Sequence, residues 1–301
     1  MVQKIKCKMF LICTFVVVLL TTFACGGSNV IMGNEPMLTI IDDDGDVHFF
    51  TDLLPIIEEM DVPISTAVTI KRIGSSKRWM NWEQLNLLSE KGIEVLCHGF
   101  YHDNYEQVKK KKESVLKKEY SDAKAILKEK GFNSGDILVY TSSTGNFPFV
   151  RKIAKSTFRC AIKIGGNKYN DKYSDKYALS RYRIDFANTE GKIDYSIKDI
   201  KQYIDSIAHN NSWGIFMIHT SNTKWRCRVE VDSYGNIIYD QNGKPKLMYR
   251  DSKLVLDDEG IYPTYGKLVY LPILKESILY ARGKGVKIVN VNYAYEYLYE
   301  F

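Results

Sequence analysis

Apolar runs of strand length alternate with amphipathic segments of helix length along most of the chain. The first apolar runs are MLTII (37–41), VPISTAVTI (62–70) and IEVLC (93–97), and helix-like segments at 51–60 and 80–92 separate them. The alternation continues with strand-like runs at 136–140, 158–164, 177–186, 213–219 and 286–291. Strands that alternate with helices about seven times predict a parallel sheet covered by helices. At this length we expect an α/β fold, a distorted (β/α) barrel of about seven parallel strands.

Local signals refine this pattern. Thr51 is placed to cap the first helix, Pro55 lies near its first turn, and Gly92 ends the second helix. The lysine-rich run at 108–130 reads as the solvated face of a helix, with its apolar pairs Val115–Leu116 and Ile126–Leu127 turned inward. The rhythm breaks at 221–266, which is rich in Asn, Asp, Gly and Tyr and predicts an inserted β-hairpin.

The first 25 residues have the plan of a secretory signal. Lysines at 4, 6 and 8 precede an apolar run from Met9 to Leu20, which is short for a permanent membrane span. The segment ends in TTFACGGS, which resembles a bacterial lipobox, and this resemblance implies that Cys25 is lipidated. Thr22 departs from the motif, because leucine is usual at that position. Ordinary cleavage nearby is the alternative. We therefore expect an exported protein, membrane-anchored through Cys25, with a short tether at 26–36 and one barrel domain at 37–301.

Charge and cysteine content exclude several other classes. Without Lys4, Lys6 and Lys8, the formal charge of +6 falls to about +3, which is too small an excess to indicate a nucleic-acid partner. Beyond Cys25, the cysteines at 97, 160 and 227 are widely spaced and form neither a disulfide framework nor a CxxC metal motif. Cys97 and Cys160 lie in strand-like runs and are expected to be small buried residues.

Polar residues follow several of the predicted strands. DDDGD (42–46) follows the first strand, His98 and His102 follow the third, TSSTG (141–145) follows 136–140, and His219 ends 213–219. Side chains at the carboxyl ends of parallel barrel strands converge on one face. Taken alone, the acidic run could be a solvated turn and the histidine pair a coincidence. Together, two imidazoles and one carboxylate form a divalent-metal ligand set that leaves positions for water, and a second carboxylate beside them can act as a base.

The order of these motifs resembles that of the polysaccharide deacetylases, carbohydrate esterase family four. The resemblance covers most of residues 37–298 and rests on DDG, H-x3-H, a glycine-containing loop and a late strand ending in histidine. It implies a divalent metal, above all Zn²⁺, held by Asp44, His98 and His102, with Asp43 as catalytic base and His219 as general acid. A shift of one residue, with Asp42 as the base and Asp43 as the ligand, is the alternative register.

One motif of that family is altered here. The resemblance assigns oxyanion stabilisation to a backbone N–H in the TSSTG loop, at about Thr144 with Gly145 next to it, but the loop lacks the family's arginine and prolines. Arg181 or Arg183 could replace the arginine that orients the base, and Asp185 could pair with His219. Asp42 is a further supporting candidate. Metal binding is therefore better supported by the sequence than deacetylation of any given sugar.

Three functions follow from this reading. The first is hydrolysis of N-acetyl or O-acetyl groups on an acetylated polysaccharide or oligosaccharide. The second is a catalytically impaired glycan-binding lipoprotein on the same scaffold, and the third is hydrolysis of a different amide or of a phosphoester. Aromatic residues of the insert could stack on sugar rings, or could equally pack the insert onto the barrel: Trp225, Tyr234, Tyr239, Tyr249, Tyr262 and Tyr265.

Overall fold

Seven parallel strands form a closed barrel in this computed structural model. The structure describes residues 35–165, 168–184, 186–187, 196–220, 230, 232–233, 238–241, 246, 249–250, 253–254, 267–268 and 271–300. The barrel strands are β1 (Met37–Asp44), β2 (Ser65–Val68), β3 (Val95–Cys97), β4 (Ile137–Val139), β5 (Cys160–Ile164), β6 (Leu179–Arg183) and β8 (Trp213–Ile218). Each strand pairs with the next, and β1 also pairs with β8, which closes the ring. The predicted (β/α) barrel is confirmed.

The other strands are two residues long. They are β7 (Phe186–Ala187), β9 (Tyr249–Arg250), β10 (Lys253–Leu254), β11 (Lys267–Leu268) and β12 (Lys287–Ile288). β12 adds to the barrel beside the start of β1, in parallel. β9 and β10 form an antiparallel pair within the predicted insert, and β11 pairs with β7. Most of the predicted insert, including Trp225, lies outside the described residues.

Eight α-helices accompany the strands in the described part of the chain. They are α1 (Leu54–Met60), α2 (Trp82–Glu90), α3 (Tyr105–Lys110), α4 (Glu113–Glu129), α5 (Pro148–Thr157), α6 (Ile197–Asn210), α7 (Leu271–Gly283) and α8 (Val291–Tyr299). Complete capping boxes begin α2, α3 and α6. Among these helices, none combines the length and the apolar character needed to cross a membrane.

Two apolar clusters lie on opposite faces of the strands. One contains residues from the strands together with α8, among them Met37, Ile41 and Ile215. The other joins the alternate strand residues, such as Ile40 and Phe216, to the surrounding helices. Because successive side chains of a strand point to opposite faces, the first cluster fills the barrel interior and the second fills the layer beneath the helices.

The local predictions were wrong at three points. Thr51 does not cap a helix, because it lies inside a π-helical turn (Phe49–Leu53) that runs directly into α1. The lysine-rich segment forms two helices, α3 and α4, rather than one. Within α4, Leu116 is buried but its neighbour Val115 is 44% exposed, since adjacent helical positions differ by about 100° and only one of them can face the core.

Candidate active site

Strand periodicity decides which side chains enter the barrel mouth. On β1, Ile41 lies in the interior cluster, so Asp43 two residues later points to the same interior face. His98, Arg181 and His219 stand in the same phase as the interior residues of β3, β6 and β8. All four side chains are buried. The barrel therefore gathers two imidazoles, a carboxylate and a guanidinium at the carboxyl ends of four strands.

Asp44, His98 and His102 form the group best suited to a metal ion. The Asp44 Oδ1 atom lies 3.0 Å from His102 Nε2 and 3.6 Å from His98 Nε2. One ligand atom from each residue lies within 4.8 Å of the others. Burial alone would raise the pKa of Asp44, but the neighbouring imidazoles of His102 and His98 hold it well below its usual range. The carboxylate is therefore ionised and available as a ligand.

Backbone turns bring the three side chains together. Asp44 and Gly45 both adopt left-handed conformations, with φ of +83° and +75°. This turn ends β1 and directs Asp44 sideways into the mouth. A Cβ on Gly45 would also lie 3.0 Å from Val68 Cγ1, so glycine is required there. Gly99, at φ +84°, makes the corresponding turn after His98 and allows His102 to fold back over it.

Hydrogen bonding prepares His98 to act as a ligand. Its Nδ1 atom lies 2.7 Å from the carbonyl oxygen of Val139, so Nδ1–H is the donor and Nε2 carries the lone pair. Asp44 Oδ1 is buried and has close nitrogen neighbours, but none of the described residues forms a well-aligned hydrogen bond with it. One carboxylate oxygen and two imidazole nitrogens form a donor set that suits zinc and similar divalent ions. The residues present therefore fit a metal.

Asp43 lies beside this group and is held by a cation. Arg181 Nη1 donates to Asp43 Oδ1 at 2.6 Å, while His98 Nε2 and His219 Nε2 each lie 3.9 Å from Asp43 Oδ2. Burial would raise the pKa of Asp43, but Arg181, His98 and His219 together bring it below its usual value. Asp43 is thus an ionised carboxylate with one oxygen fixed by Arg181 and the other directed toward two imidazoles.

Asp42 belongs to a different environment. Its neighbours Ile40 and Ile218 lie in the layer beneath the helices, and its Oδ1 atom accepts a hydrogen bond of 2.7 Å from the Thr220 N–H. Burial, and then repulsion by Asp43, raise the pKa of Asp42 well above its usual value. Asp42 is remote from the histidine pair in its contacts, so the geometry favours the first register over the alternative.

The structure shows the local roles of two residues in the altered TSSTG loop (141–145). The Thr144 N–H already donates to the Thr141 carbonyl at 3.1 Å, so Thr144 itself offers no unused donor for an oxyanion. Gly145 is required by packing, because a Cβ there would lie 2.5 Å from Tyr140 Cδ2 and 2.7 Å from Lys163 Cβ. The prediction of an oxyanion donor at Thr144 is therefore not supported, and the role of this loop stays a prediction.

The remaining predicted residues divide between described and undescribed parts. Arg183 is half-buried and lies two residues beyond Arg181 on β6, so Arg181 is the arginine that contacts Asp43. Asp185 and Cys25 lie outside the described residues, as do most aromatic residues of the insert. The Tyr239 hydroxyl donates to Glu276 on α7, which favours the packing role for that tyrosine. Cys97 and Cys160 are buried free thiols, as predicted.

Sequence reasoning missed one basic residue of the site. Arg72 Nη1 lies 2.7 Å from Asp44 Oδ1, the same oxygen that faces both histidines. Arg72 follows the end of β2 by four residues, so the rule that sites form at the carboxyl ends of strands could have drawn attention to it.

Comparison with known proteins gives the same family as the motifs. Residues 32–159 match the family model described as polysaccharide deacetylase. The resemblance inferred from the sequence is therefore confirmed over this part of the chain. No curated protein matches the chain in a sequence search.

Solved structures that match the chain include a CE4 domain, a deacetylase and a protein described as a CE4 family pseudoenzyme. The Xyl-CE4 domain of a multidomain xylanase from the hindgut metagenome of Trinervitermes trinervoides is 11% identical with a TM-score of 0.50, and the match covers 87% of this chain and 91% of that domain. A Streptococcus pyogenes deacetylase, solved with acetate, is 16% identical with a TM-score of 0.44. That match covers 48% of this chain and only 63% of the deacetylase. A CE4 family pseudoenzyme from Bacillus anthracis is 11% identical, with a TM-score of 0.49 and coverage of 87% and 66%.

Proposed function

We propose that this chain, which resembles the polysaccharide deacetylases, is an exported metal-dependent hydrolase that removes acetyl groups from a polysaccharide or oligosaccharide. The observation that supports it most is the pairing of two distinct carboxylates. Asp44 shares its oxygen with two histidines, and Asp43, next to it, is fixed by Arg181. A ligand carboxylate and a base carboxylate side by side are what hydrolysis by an activated water requires.

Each residue has a chemical task in this proposal. Asp44, His98 and His102 hold the ion, which when bound supplies Lewis-acid activation of water and of the acetyl carbonyl. Asp43 accepts the proton of the attacking water, and Arg181 keeps Asp43 ionised and oriented. His219, within 3.9 Å of Asp43, donates a proton to the leaving nitrogen or oxygen as its bond to the acetyl carbon breaks. Acetate and a free amine or hydroxyl group result.

Acetate release tests this function directly. The purified protein is incubated with a panel of N-acetylated and O-acetylated glycans, with and without a chelator. We expect acetate from at least one glycan, loss of release with chelator, and recovery after zinc is added. Absence of release from every glycan by metal-loaded protein would contradict the proposal.

A non-catalytic glycan binder is the second candidate, and the altered TSSTG loop favours it. That loop lacks the family's arginine, and its Thr144 N–H is already used. Against this, Arg181 reaches Asp43 from another strand and supplies the missing cation. Measurable binding of glycans that are never deacetylated would select the binder.

Export and anchoring remain part of the proposal through Cys25. Lipidation there would place the barrel at the cell surface or in the periplasm, where such polymers occur. We expect the protein in the membrane fraction and the Cys25→Ala variant in the soluble fraction, measured by immunoblot. The same distribution for both proteins would contradict the anchor and leave the catalytic proposal unaffected.

A further inference from the structure

The loop between β2 and α2, beside the candidate site, carries four cations and no carboxylate of its own. Residues 69–81, named here the basic loop, contain Lys71, Arg72, Lys77 and Arg78, and there is no acidic residue from position 62 to 82. The net charge of the whole chain is only modestly positive, so this concentration of like charge is local. Charge of one sign at the entrance of a site attracts ligands of the opposite sign.

Backbone hydrogen bonds attach the basic loop to both segments that carry metal-ligand candidates. The Ile70 and Lys71 N–H groups donate to the Gly99 and Phe100 carbonyls, at 3.1 Å each, next to His98. On the other side, the Met80 N–H donates to the Gly45 carbonyl at 3.0 Å, next to Asp44. The basic loop therefore lies directly beside the candidate metal centre and is fixed there at both ends.

The two arginines of the loop are held with part of their hydrogen-bonding capacity unused. Arg72 and Arg78 both lie against the Trp79 ring, at 4.4 Å and 4.6 Å from its centroid, and each also meets a carboxylate of the DDDGD turn. Arg72 approaches Asp44 Oδ1 through Nη1 at 2.7 Å, and none of the hydrogen bonds among the described residues uses its other guanidinium N–H groups. A guanidinium presents five donors in a planar fork that matches a carboxylate.

The two lysines add charge that nothing in the described chain neutralises. Lys71 and Lys77 are exposed, and neither forms an ion pair with a described residue. Lys71 lies over the Phe100 ring at 5.7 Å, on the side of the loop that meets the histidine segment. Lys71 is the neighbour in the chain of Arg72, which contacts the metal-ligand carboxylate of Asp44.

We propose that the basic loop is a subsite for a carboxylate-bearing glycan, so that the substrate is an acetylated polysaccharide containing uronic acid residues. This inference deepens the proposed function and rests on it for the acetyl group. The loop binds the carboxylate of one sugar while the acetyl group of the same or the next sugar meets Asp43 and the metal ligands. Trp79 does not act as a stacking platform here, because two guanidinium groups lie against it.

A binding experiment tests the subsite without depending on turnover. Hexagalacturonate and the neutral xylohexaose, equal in length and both free of acetyl groups, are titrated calorimetrically into the full, zinc-loaded chain at 50 and 300 mM NaCl. We expect hexagalacturonate to bind about tenfold more tightly than xylohexaose at low salt, and to lose most of that advantage at high salt. Equal affinities at low salt would overturn the proposal.

Matched variants separate the subsite from general charge and from binding to the metal. The Lys71→Gln/Lys77→Gln variant removes two exposed charges from the basic loop. The control variant, Lys91→Gln/Lys118→Gln, removes two exposed charges outside the loop. Lys91, at the end of α2, pairs with Glu58, and Lys118, in α4, pairs with Asp122. We expect the first pair to weaken hexagalacturonate binding by about five- to tenfold and the second to leave it unchanged. The same change in both, or in neither, would overturn the proposal.

Acetate release then distinguishes the carboxylate subsite from the deacetylase activity. With acetylated polygalacturonate and acetylated xylan as substrates, we expect a higher kcat/KM for the first, with the loop variant raising KM for it and not for xylan. If hexagalacturonate binds as predicted but neither polymer releases acetate, the subsite stands and the deacetylase proposal fails. If xylan is the better substrate and the loop variant changes nothing, the subsite fails and deacetylation stands.

Discussion

Buried carboxyl groups lie at both ends of the barrel, and their partners differ in kind. At the amino end, Glu94 accepts hydrogen bonds from the Val291 and Asn292 N–H groups, at 2.9 Å and 3.0 Å, and from the Ser65 hydroxyl at 3.0 Å. At the carboxyl end, Asp43 meets the Arg181 guanidinium and two imidazoles. Both carboxyl groups are almost fully buried.

The same burial has opposite results at the two ends. Burial raises the pKa of Glu94, and the hydrogen bonds of Asn292, Val291 and Ser65 offset that rise only in part. At Asp43, the cationic neighbours outweigh burial and the pKa falls. Neutral donors at Glu94 fix the start of α8 against β2 and β3, which is a structural task. Cationic neighbours at Asp43 keep a charge available inside the barrel, which is what a catalytic base needs.

The largest expected effect is at Asp43. Asp43→Asn removes the base and keeps the shape, so we expect kcat to fall by about 10²- to 10⁴-fold while metal content is unchanged. Acetate release and elemental analysis of the same preparation measure both. A variant that keeps wild-type turnover would show that Asp43 is a structural carboxylate, like Glu94.

The next effect is at Arg181, which distinguishes the two ends most clearly. Arg181→Met leaves a buried carboxylate without its cation, and we expect the free energy of unfolding to fall by about 3–5 kcal/mol. Because Arg181 lowers the pKa of Asp43, its removal raises that pKa, and the acid limb of the kcat/KM profile should move to higher pH. Arg181→Lys, which keeps the charge, should move it less. An unchanged acid limb in Arg181→Met would contradict this role.

At Glu94 the expected loss is in stability alone. Glu94→Ala leaves the Val291 and Asn292 N–H groups without their acceptor, so the free energy of unfolding in urea should fall by about 2–3 kcal/mol. kcat/KM and metal content per folded molecule should stay at wild-type values. A selective loss of turnover, without loss of stability, would remove the contrast between the two ends.

The smallest effect is at Asp42, where the test is how the free energy of unfolding changes with pH. Its folded pKa is raised by burial and by Asp43, so its ionisation should lower stability as pH rises from the ordinary carboxyl range through the folded pKa. Asp42→Asn keeps an acceptor for the Thr220 N–H, so its stability should be within about 0.5 kcal/mol of wild type at pH 4. As pH rises, the free energy of unfolding of Asp42→Asn should increase relative to that of the wild type. Parallel stability curves from pH 4 to 8, measured with chelator present, would contradict this.

The parts of the site that lie at strand ends could be predicted from the sequence. Strand periodicity and the positions of DDDG, His98 and His219 predicted which side chains meet at the barrel mouth, because the carboxyl ends of parallel strands always converge. The same reasoning could not choose between Arg181 and Arg183. Both point inward by parity, and only the stagger of β6 against β1 decides which one reaches Asp43.

Three other features were not predicted correctly, each for a different physical reason. Arg72 contacts Asp44 because backbone hydrogen bonds join the basic loop to the turns at Gly45 and Gly99. The residue types of the loop do not predict these hydrogen bonds. We expect Val115 and Leu116 to be buried together because they form an apolar pair. In α4 only Leu116 faces the core, and Val115 is exposed. The Thr144 N–H is used within its own turn, a detail of backbone geometry that residue types do not specify.

Metal content tests the central claim most directly. Wild-type protein, Asp44→Ala and Asp43→Asn are loaded with zinc, freed of excess ion by gel filtration, and analysed for metal per chain. The account predicts about one ion per chain in wild type and in Asp43→Asn, and almost none in Asp44→Ala. A wild-type chain that retains no ion, or an Asp44→Ala chain that retains as much as wild type, would contradict it.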